Sequence, residues 1–251
     1  MARTAVRRRL TWKVATAVGL ADETPRTRSI TLDVPGWSGH RAGQHVDVRL
    51  TAEDGYQVQR SYSIASAPED EHLVLTVERL DDGEVSPYLV DELRTGDEFE
   101  LRGPVGGYFV WEAALGGPLF LVAGGSGVVP FRAMLRHHRA IGSAVPVRLL
   151  CSARSLSDVV YREELARIAT ADGVDVRFTL TREQPDGWRG YRRRIDQELL
   201  AEVAWPPAER PLVYVCGPTD FVETAGVALV ALGHEPGRIR LERFGGTGGS
   251  A

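Results

Sequence analysis

A change of pattern near residue 115 restricts the fold more than any other feature of this chain. Before it, short stretches alternate apolar and polar residues, with Gly, Pro and Asp between them. Residues 45–50, 60–64, 73–79 and 98–101 are of this kind, and Asp81-Asp82-Gly83 and Arg94-Thr95-Gly96-Asp97 mark turns. A period of two turns one face of each strand inward, and short strands at this spacing predict an antiparallel barrel or sandwich. One helix over residues 86–93 interrupts them, with Ser86 as its cap and Pro87 at the first helical position.

Beyond residue 116 strands and helices alternate. Residues 119–123 are wholly apolar, as a strand covered on both faces must be. Further strands are predicted over residues 147–151, 174–180, 212–216 and 239–242. The helices between them cover residues 130–141, with a stop at Gly142, and 195–203. Two more start from a cap at Ser157 or Asp158, running to about residue 169, and from a cap at Thr219 or Asp220, ending near Gly233. Repeated βα units mean a parallel sheet with helices on both faces. The expected organisation is a β-barrel domain over residues 1–114, then an α/β domain over residues 115–251. Its sheet is expected to be five-stranded and parallel; an order of 3-2-1-4-5 would set strands one and four side by side.

A length of 251 residues suits two such domains. The net charge of −4 supplies no field directed at nucleic acid, and no apolar run is long enough to span a bilayer. The first ten residues are arginine-rich but lack the apolar core and cleavage site of a secretory signal. They read as a basic arm, with a transit-like segment as the other possibility; the glycine-rich tail over residues 245–251 is expected to be flexible. Two cysteines, Cys151 and Cys216, fit a reducing cytosol, so a cytoplasmic location is expected. They are too few for a four-cysteine iron–sulfur cluster, and no metal site is expected.

A doubly wound sheet binds ligands at the carboxyl ends of its strands, where the strand order reverses. With the order 3-2-1-4-5, that crevice lies between the loops Gly124-Gly125-Ser126-Gly127 and Cys216-Gly217-Pro218. The first feeds a helix, whose free N–H groups favour an anion. In Gly125-Ser126-Gly127-Val128-Val129-Pro130, proline stands where the dinucleotide fingerprint has its last glycine, and a tight structural turn would look the same. Cys216 likewise reads equally as a small core residue. After the second strand there is no acid until Asp158, whereas Arg154 and Arg182 follow adjacent strands. Two guanidinium groups there suit a 2′-phosphate, which favours NADPH over NADH. Ordinary solvated arginines would give the same pattern.

Arg60-Ser61-Tyr62-Ser63, the Gly124 loop, Cys216-Gly217-Pro218 and Glu242-Arg243-Phe244 occur in an order that resembles the ferredoxin–NADP⁺ reductase superfamily. The resemblance runs over essentially the whole chain. Within the superfamily the chain is most similar to stand-alone reductase components of bacterial oxygenases; members with a fused ferredoxin domain carry further cysteines. The resemblance implies an FAD-dependent reductase that takes hydride from NAD(P)H and passes single electrons to a separate ferredoxin, flavodoxin or oxygenase component.

By the same resemblance, Arg60 neutralises a flavin phosphate, Tyr62 covers one flavin face and Ser63 bonds near the hydride-accepting nitrogen. Ser61, Val77, Gly83, Val85 and Ser86 complete the flavin contacts, the Gly83–Ser86 segment meeting the pyrophosphate. Family members often carry Ser or His around Gly107. Gly125, Ser126, Gly127, Pro130, Arg154, Thr181, Arg182, Cys216, Gly217 and Pro218 are implied in dinucleotide binding, with Arg189 and Tyr191 as lesser candidates. Phe244 covers the second flavin face; plant members end in tyrosine there, whereas seven residues follow here. Ser63, Cys216, Glu242 and Phe244 line the transfer site, Cys216 as a packing group rather than a nucleophile. Arg26, Arg28, Arg41 and Arg192 to Arg194 form either a docking patch for an acidic partner or a scattered solvated surface. Two other readings stay open: a flavin or ferric reductase without a protein partner, and a nucleotide-sensing module without turnover.

Overall fold

In the computed structural model, residues 10–245 are described; the basic arm before Leu10 and the tail after Gly245 lie outside the described residues. The first elements of the described residues form a hairpin that the alternation pattern did not reveal, β1 (Lys13–Thr24) and β2 (Thr27–Asp33). Two register shifts interrupt this pairing, between Ala17 and Gly19 and between Asp22 and Thr24. Such irregularities bend a strand and blur its period-two signature.

Four more strands follow: β3 (His45–Thr51), β4 (Gln57–Ser63), β5 (Leu73–Glu78) and β6 (Glu98–Val105). They form one antiparallel sheet in the order β4-β3-β6-β1-β2-β5. An Ile64–Leu75 bridge joins its two edges, and the Ala65 N–H donates to the Val74 carbonyl at 2.8 Å. Closure removes the exposed edges that would otherwise invite pairing. The interior is filled by Ile30, Val48, Leu75 and Leu101, none of them accessible to solvent.

The expected helix over residues 86–93 is present over residues 86–92, its Tyr88–Glu92 part wound as one wide turn that plugs the barrel with buried Leu89 and Val90. Ser86 does not cap it. Its Oγ accepts the Leu80 N–H at 3.0 Å and closes the loop before the turn, a use of serine that competes with capping.

The second half carries β7 (Leu119–Gly124), β8 (Val147–Ala153), β9 (Asp175–Leu180), β10 (Leu212–Pro218) and β11 (Ile239–Phe244). All pair in parallel in the order β11-β10-β7-β8-β9, which places β7 and β10 side by side. The helices are α1 (Val129–Ala140), α2 (Arg162–Ala171), α3 (Gln197–Val203) and α4 (Thr219–Ala231). Ser157 and Asp158 do not start α2. Ser155 and Asp158 instead close a capping box on a short turn, and α2 starts after Tyr161, whose φ of 60° breaks the helix. Thr219 and Asp220 do not cap α4, because Pro218 stands at that position and both fall inside the first turn. α3 is capped by Asp196, which accepts the Leu199 N–H at 2.8 Å.

The two sheets share a core. Ala42 and Ala65 from the barrel side pack in one apolar cluster with Phe131 and Met134 of α1. Phe109, on the connecting segment, stacks on Phe131 and meets Tyr214 edge-on at 5.1 Å. Polar contacts tie the same seam. Arg136 bridges Glu164 and Asp70, His137 meets Glu69 at 2.7 Å, and the buried Tyr161 hydroxyl donates to Thr76 of β5 at 2.5 Å.

Thr76 retains Ser29 as a second partner at 2.8 Å, so removing the tyrosine hydroxyl does not orphan it. Tyr161→Phe is therefore expected to lower stability by only about 1 kcal/mol, the net worth of one hydrogen bond. Denaturant midpoints of the two proteins check this; an unchanged midpoint would mean that the tie contributes nothing.

Candidate functional site

Two cavities open along the seam. One, of about 450 Å³, is walled by Arg60, Ser61, Tyr62 and Ser63 of β4, by Thr76 and Glu78 of β5, by the 80–86 loop and by Phe244. The other, of about 200 Å³, lies over the carboxyl ends of β7 and β8 and includes Gly124, Gly125, Ser126, Arg154 and Thr181. Glu78, Ser126 and Phe244 belong to both, so the cavities are neighbours.

Tyr62 and Phe244 come from different sheets. Tyr62 sits on β4 and packs against the barrel core, whereas Phe244 ends β11 and packs against the α/β core. Both rings face the larger cavity. Parallel pairing sets the second, because Phe244 lies opposite Pro218 and Glu242 opposite Cys216.

Glu242 carries the site's principal perturbation. Burial pushes its carboxyl up to about 7, although the Ser63 hydroxyl, donating to it at 3.2 Å, works in the other direction. This bond joins β4 to β11 across the seam. Burial also pushes the Cys216 thiol well above its ordinary range, with the Glu242 charge adding to it. A thiol held neutral in this way is a packing group, not a nucleophile.

Arg60 is the exposed cation of the larger cavity. It pairs loosely with Glu84 at 3.5 Å, and Glu84 also accepts the Tyr56 hydroxyl at 3.0 Å. An exposed pair of this kind is weak and readily exchanged for another anion. Gly83 sits tightly in the same loop, since a Cβ there would lie 2.9 Å from the Ser86 Oγ. A largely apolar cavity lined by Tyr62 and Phe244 and flanked by an exchangeable arginine has the side chains to hold a flavin and its phosphate.

In the glycine loop, Gly125 has φ of 56°, a conformation that suits glycine. Gly127 serves the protein's own packing, because a Cβ there would fall 2.1 Å from the Cys216 carbonyl oxygen. Gly127, Pro130, Cys216 and Gly217 are buried behind the cavities rather than on their walls, while Pro218 lines the smaller one.

Other expected residues are placed differently. The Val77 side chain points into the barrel core and is fully buried, while its neighbours Thr76 and Glu78 face the cavity. Val85 is buried yet contributes to the wall. Ser61 lines the cavity, but its hydroxyl donates to Asp47 at 2.7 Å. Arg154 is on the wall of the smaller cavity, but Arg182 is not; its backbone N–H donates to the Arg154 carbonyl at 2.9 Å. Arg189 and Tyr191 line neither cavity, and Tyr191 pairs with Thr179 as an extension of the sheet.

The arginines considered for docking are mostly paired. Arg26 meets Asp81, Arg28 meets Asp22, Arg41 meets Glu112, and Arg193 meets Asp196 and Glu198. This is a mixed surface rather than a basic patch.

Among the wall residues that escaped the sequence reading, Phe221 and Glu78 matter most. Phe221, early in α4, fills the space that Gly124 and Gly217 leave; Cβ atoms there would lie 2.9 and 2.7 Å from its ring. Glu78 accepts the Ser126 hydroxyl at 2.6 Å. The parity of β5 could have revealed Glu78, because it shares a face with Thr76 and not with Leu75 and Val77.

Residues 23–110 match the oxidoreductase FAD-binding domain family, and residues 121–226 match the oxidoreductase NAD-binding domain family. The chain is 35% identical over 209 residues to ferredoxin–NADP reductase B of Sorangium cellulosum, covering 81% of this chain and 84% of that protein. It is 32% identical over 225 residues to the glycine betaine monooxygenase reductase subunit of Pseudomonas aeruginosa, covering 88% of this chain but 61% of that protein. It thus spans about three fifths of the length of that relative. Among solved structures, the flavohem-like FAD/NAD-binding domain of nitric oxide dioxygenase from Vibrio cholerae superposes with a TM-score of 0.83 at 25% identity. That match covers 93% of this chain and 99% of the other. The Amycolatopsis cytochrome P450 reductase gives 0.82 at 27% identity, covering 96% and 72%. With an antiparallel barrel matching one domain family and a parallel sheet matching the other, the chain belongs to the ferredoxin–NADP reductase superfamily.

Proposed function

We propose that this chain takes hydride from NADPH onto FAD held at the seam and delivers single electrons to a separate redox protein, a ferredoxin or an oxygenase component. The observation that carries the proposal is that Tyr62 and Phe244, from different sheets, wall one cavity beside the Ser63–Glu242 contact. We divide the domains at residues 114 and 115, between the segment after β6 and the start of β7.

Bound flavin supplies the chemistry, accepting hydride from a reduced nicotinamide and releasing electrons singly. The side chains supply alignment and charge. Arg60 exchanges Glu84 for a flavin phosphate, a charge-assisted contact stronger than the loose pair it replaces. Tyr62 and Phe244 exclude water from the two ring faces. Ser63 holds the Glu242 carboxyl, which stays partly protonated near neutrality and can lend or take a proton at the transfer site. Neutral Cys216 packs behind that carboxyl.

Arg154 on the wall of the smaller cavity, with no acid at the end of β8 before Asp158, supports NADPH over NADH. The Asp158 carboxylate is already engaged by the Ser155 N–H and hydroxyl. The names of the relatives, a ferredoxin–NADP reductase and a monooxygenase reductase subunit, support a protein acceptor.

The function is tested by loading the purified protein with FAD, removing the excess, and comparing initial rates with NADPH and NADH. Stoichiometric flavin and faster turnover of NADPH are expected; failure to retain FAD would overturn the proposal. Arg154→Ala is expected to lower the NADPH-to-NADH ratio of kcat/KM roughly tenfold, about 1.4 kcal/mol for a lost guanidinium–phosphate contact.

Glu242 gives a prediction independent of turnover. Its folded-state pKa lies above the ordinary carboxylate value, so its contribution to stability is lost as pH rises through about 7. Glu242→Gln cannot ionise. Its stability relative to the parent is therefore expected to be higher at pH 8 than at pH 4.5, by at most about 3 kcal/mol. Denaturation midpoints at the two pH values check this, and an equal difference at both would contradict it.

A further inference from the structure

We propose that Glu78 sets the affinity of the glycine loop for a dinucleotide phosphate by holding its own carboxylate where that phosphate binds. The proposal rests on the coenzyme reading of the Gly124 loop and goes beyond it. Glu78 ends β5, in the barrel, and its Oε2 accepts the Ser126 hydroxyl at 2.6 Å across the seam. The same oxygen lies 3.9 Å from the place a Cβ would take on Gly125. The loop runs directly into α1, a twelve-residue helix, so its N–H groups and dipole draw an anion. In this structure the anion at that loop belongs to the protein.

The surroundings fit a displaceable occupant. Among the described residues Glu78 belongs to none of the salt bridges, while Arg26 and Arg154 line the same cavity. Arg26 is engaged with Asp81, at a surface position where such pairs exchange easily. Two anions close together repel strongly where protein walls limit screening. A phosphate arriving at the loop therefore releases the Ser126 hydroxyl to donate to it, and Glu78 turns toward Arg26. Because Glu78 also lines the flavin cavity, coenzyme binding repositions a side chain shared by both sites. The carboxylate thereby weakens phosphate binding and favours release.

The test is calorimetric titration of the FAD-loaded protein with NADP⁺ and with NAD⁺, comparing the parent chain with Glu78→Gln and Glu78→Ala. Glutamine retains an acceptor for Ser126 and removes only the charge, so the seam contact is kept. Both variants are expected to bind both nucleotides more tightly, roughly tenfold for Glu78→Gln at low salt and less at high salt. Inorganic pyrophosphate is expected to compete better in the variants than in the parent. Unchanged or weaker nucleotide binding in Glu78→Gln, as when the carboxylate accepts a ribose hydroxyl, would overturn the proposal. Should the glutamine variant not load flavin, tighter binding by Glu78→Ala supports the proposal and unchanged or weaker binding overturns it. Absence of nucleotide binding in the parent chain would sink the coenzyme reading itself and this inference with it, a result distinct from parent binding that the variants do not improve.

Discussion

Packing of α1 against the closed edge of the barrel is the constraint from which the site follows. Phe131 and Met134 of that helix share one apolar cluster with Ala42 and Ala65. Ala65 immediately follows Ile64, which closes the barrel onto Leu75. Tyr62 stands two residues before that bridge and Thr76 one residue after it, so the join that seals the barrel also aims both into the seam. Interiors packed at crystal-like density transmit such positions faithfully. A shift of α1 would move the glycine loop and the wall residues together.

From the other side, β11 brings two groups into the same space. It is the last strand at the sheet edge, paired only to β10, and its register fixes Glu242 beside Cys216 and Phe244 beside Pro218. Low accessibility there explains both the raised carboxyl of Glu242 and the inert thiol of Cys216. One environment accounts for two opposite roles: a group that holds a proton near neutral pH, and one that packs without reacting.

Much of this was readable from local pattern. The apolar run of residues 119–123 marks a central buried strand, and alternation with helices gives the parallel sheet observed. Tyr62 and Phe244 were singled out only through the resemblance carried by Arg60-Ser61-Tyr62-Ser63 and Glu242-Arg243-Phe244, because an aromatic residue near a strand end reads by itself as an ordinary half-buried side chain. The β1–β2 hairpin was not, since two register shifts spoil its periodicity. Ser86 and Thr219 were misread because a hydroxyl near a helix start serves a cap or a loop equally well, and only the surrounding chain decides. Glu78 shows a deeper limit. An acidic residue ending a strand reads as solvated, and the hydroxyl it accepts lies 48 positions away. Val77, whose side chain faces the core, marks the same error of parity from the other face.

The central claim is that Tyr62 and Phe244 enclose a flavin between the two sheets. Its most direct measurement is the fluorescence of FAD bound to the parent chain and to Tyr62→Leu and Phe244→Leu, each compared with free flavin. Stacking against both rings predicts strong quenching in the parent and brighter bound flavin in each variant. Emission from the bound flavin as bright as that of the free cofactor, or indifferent to both substitutions, would contradict it.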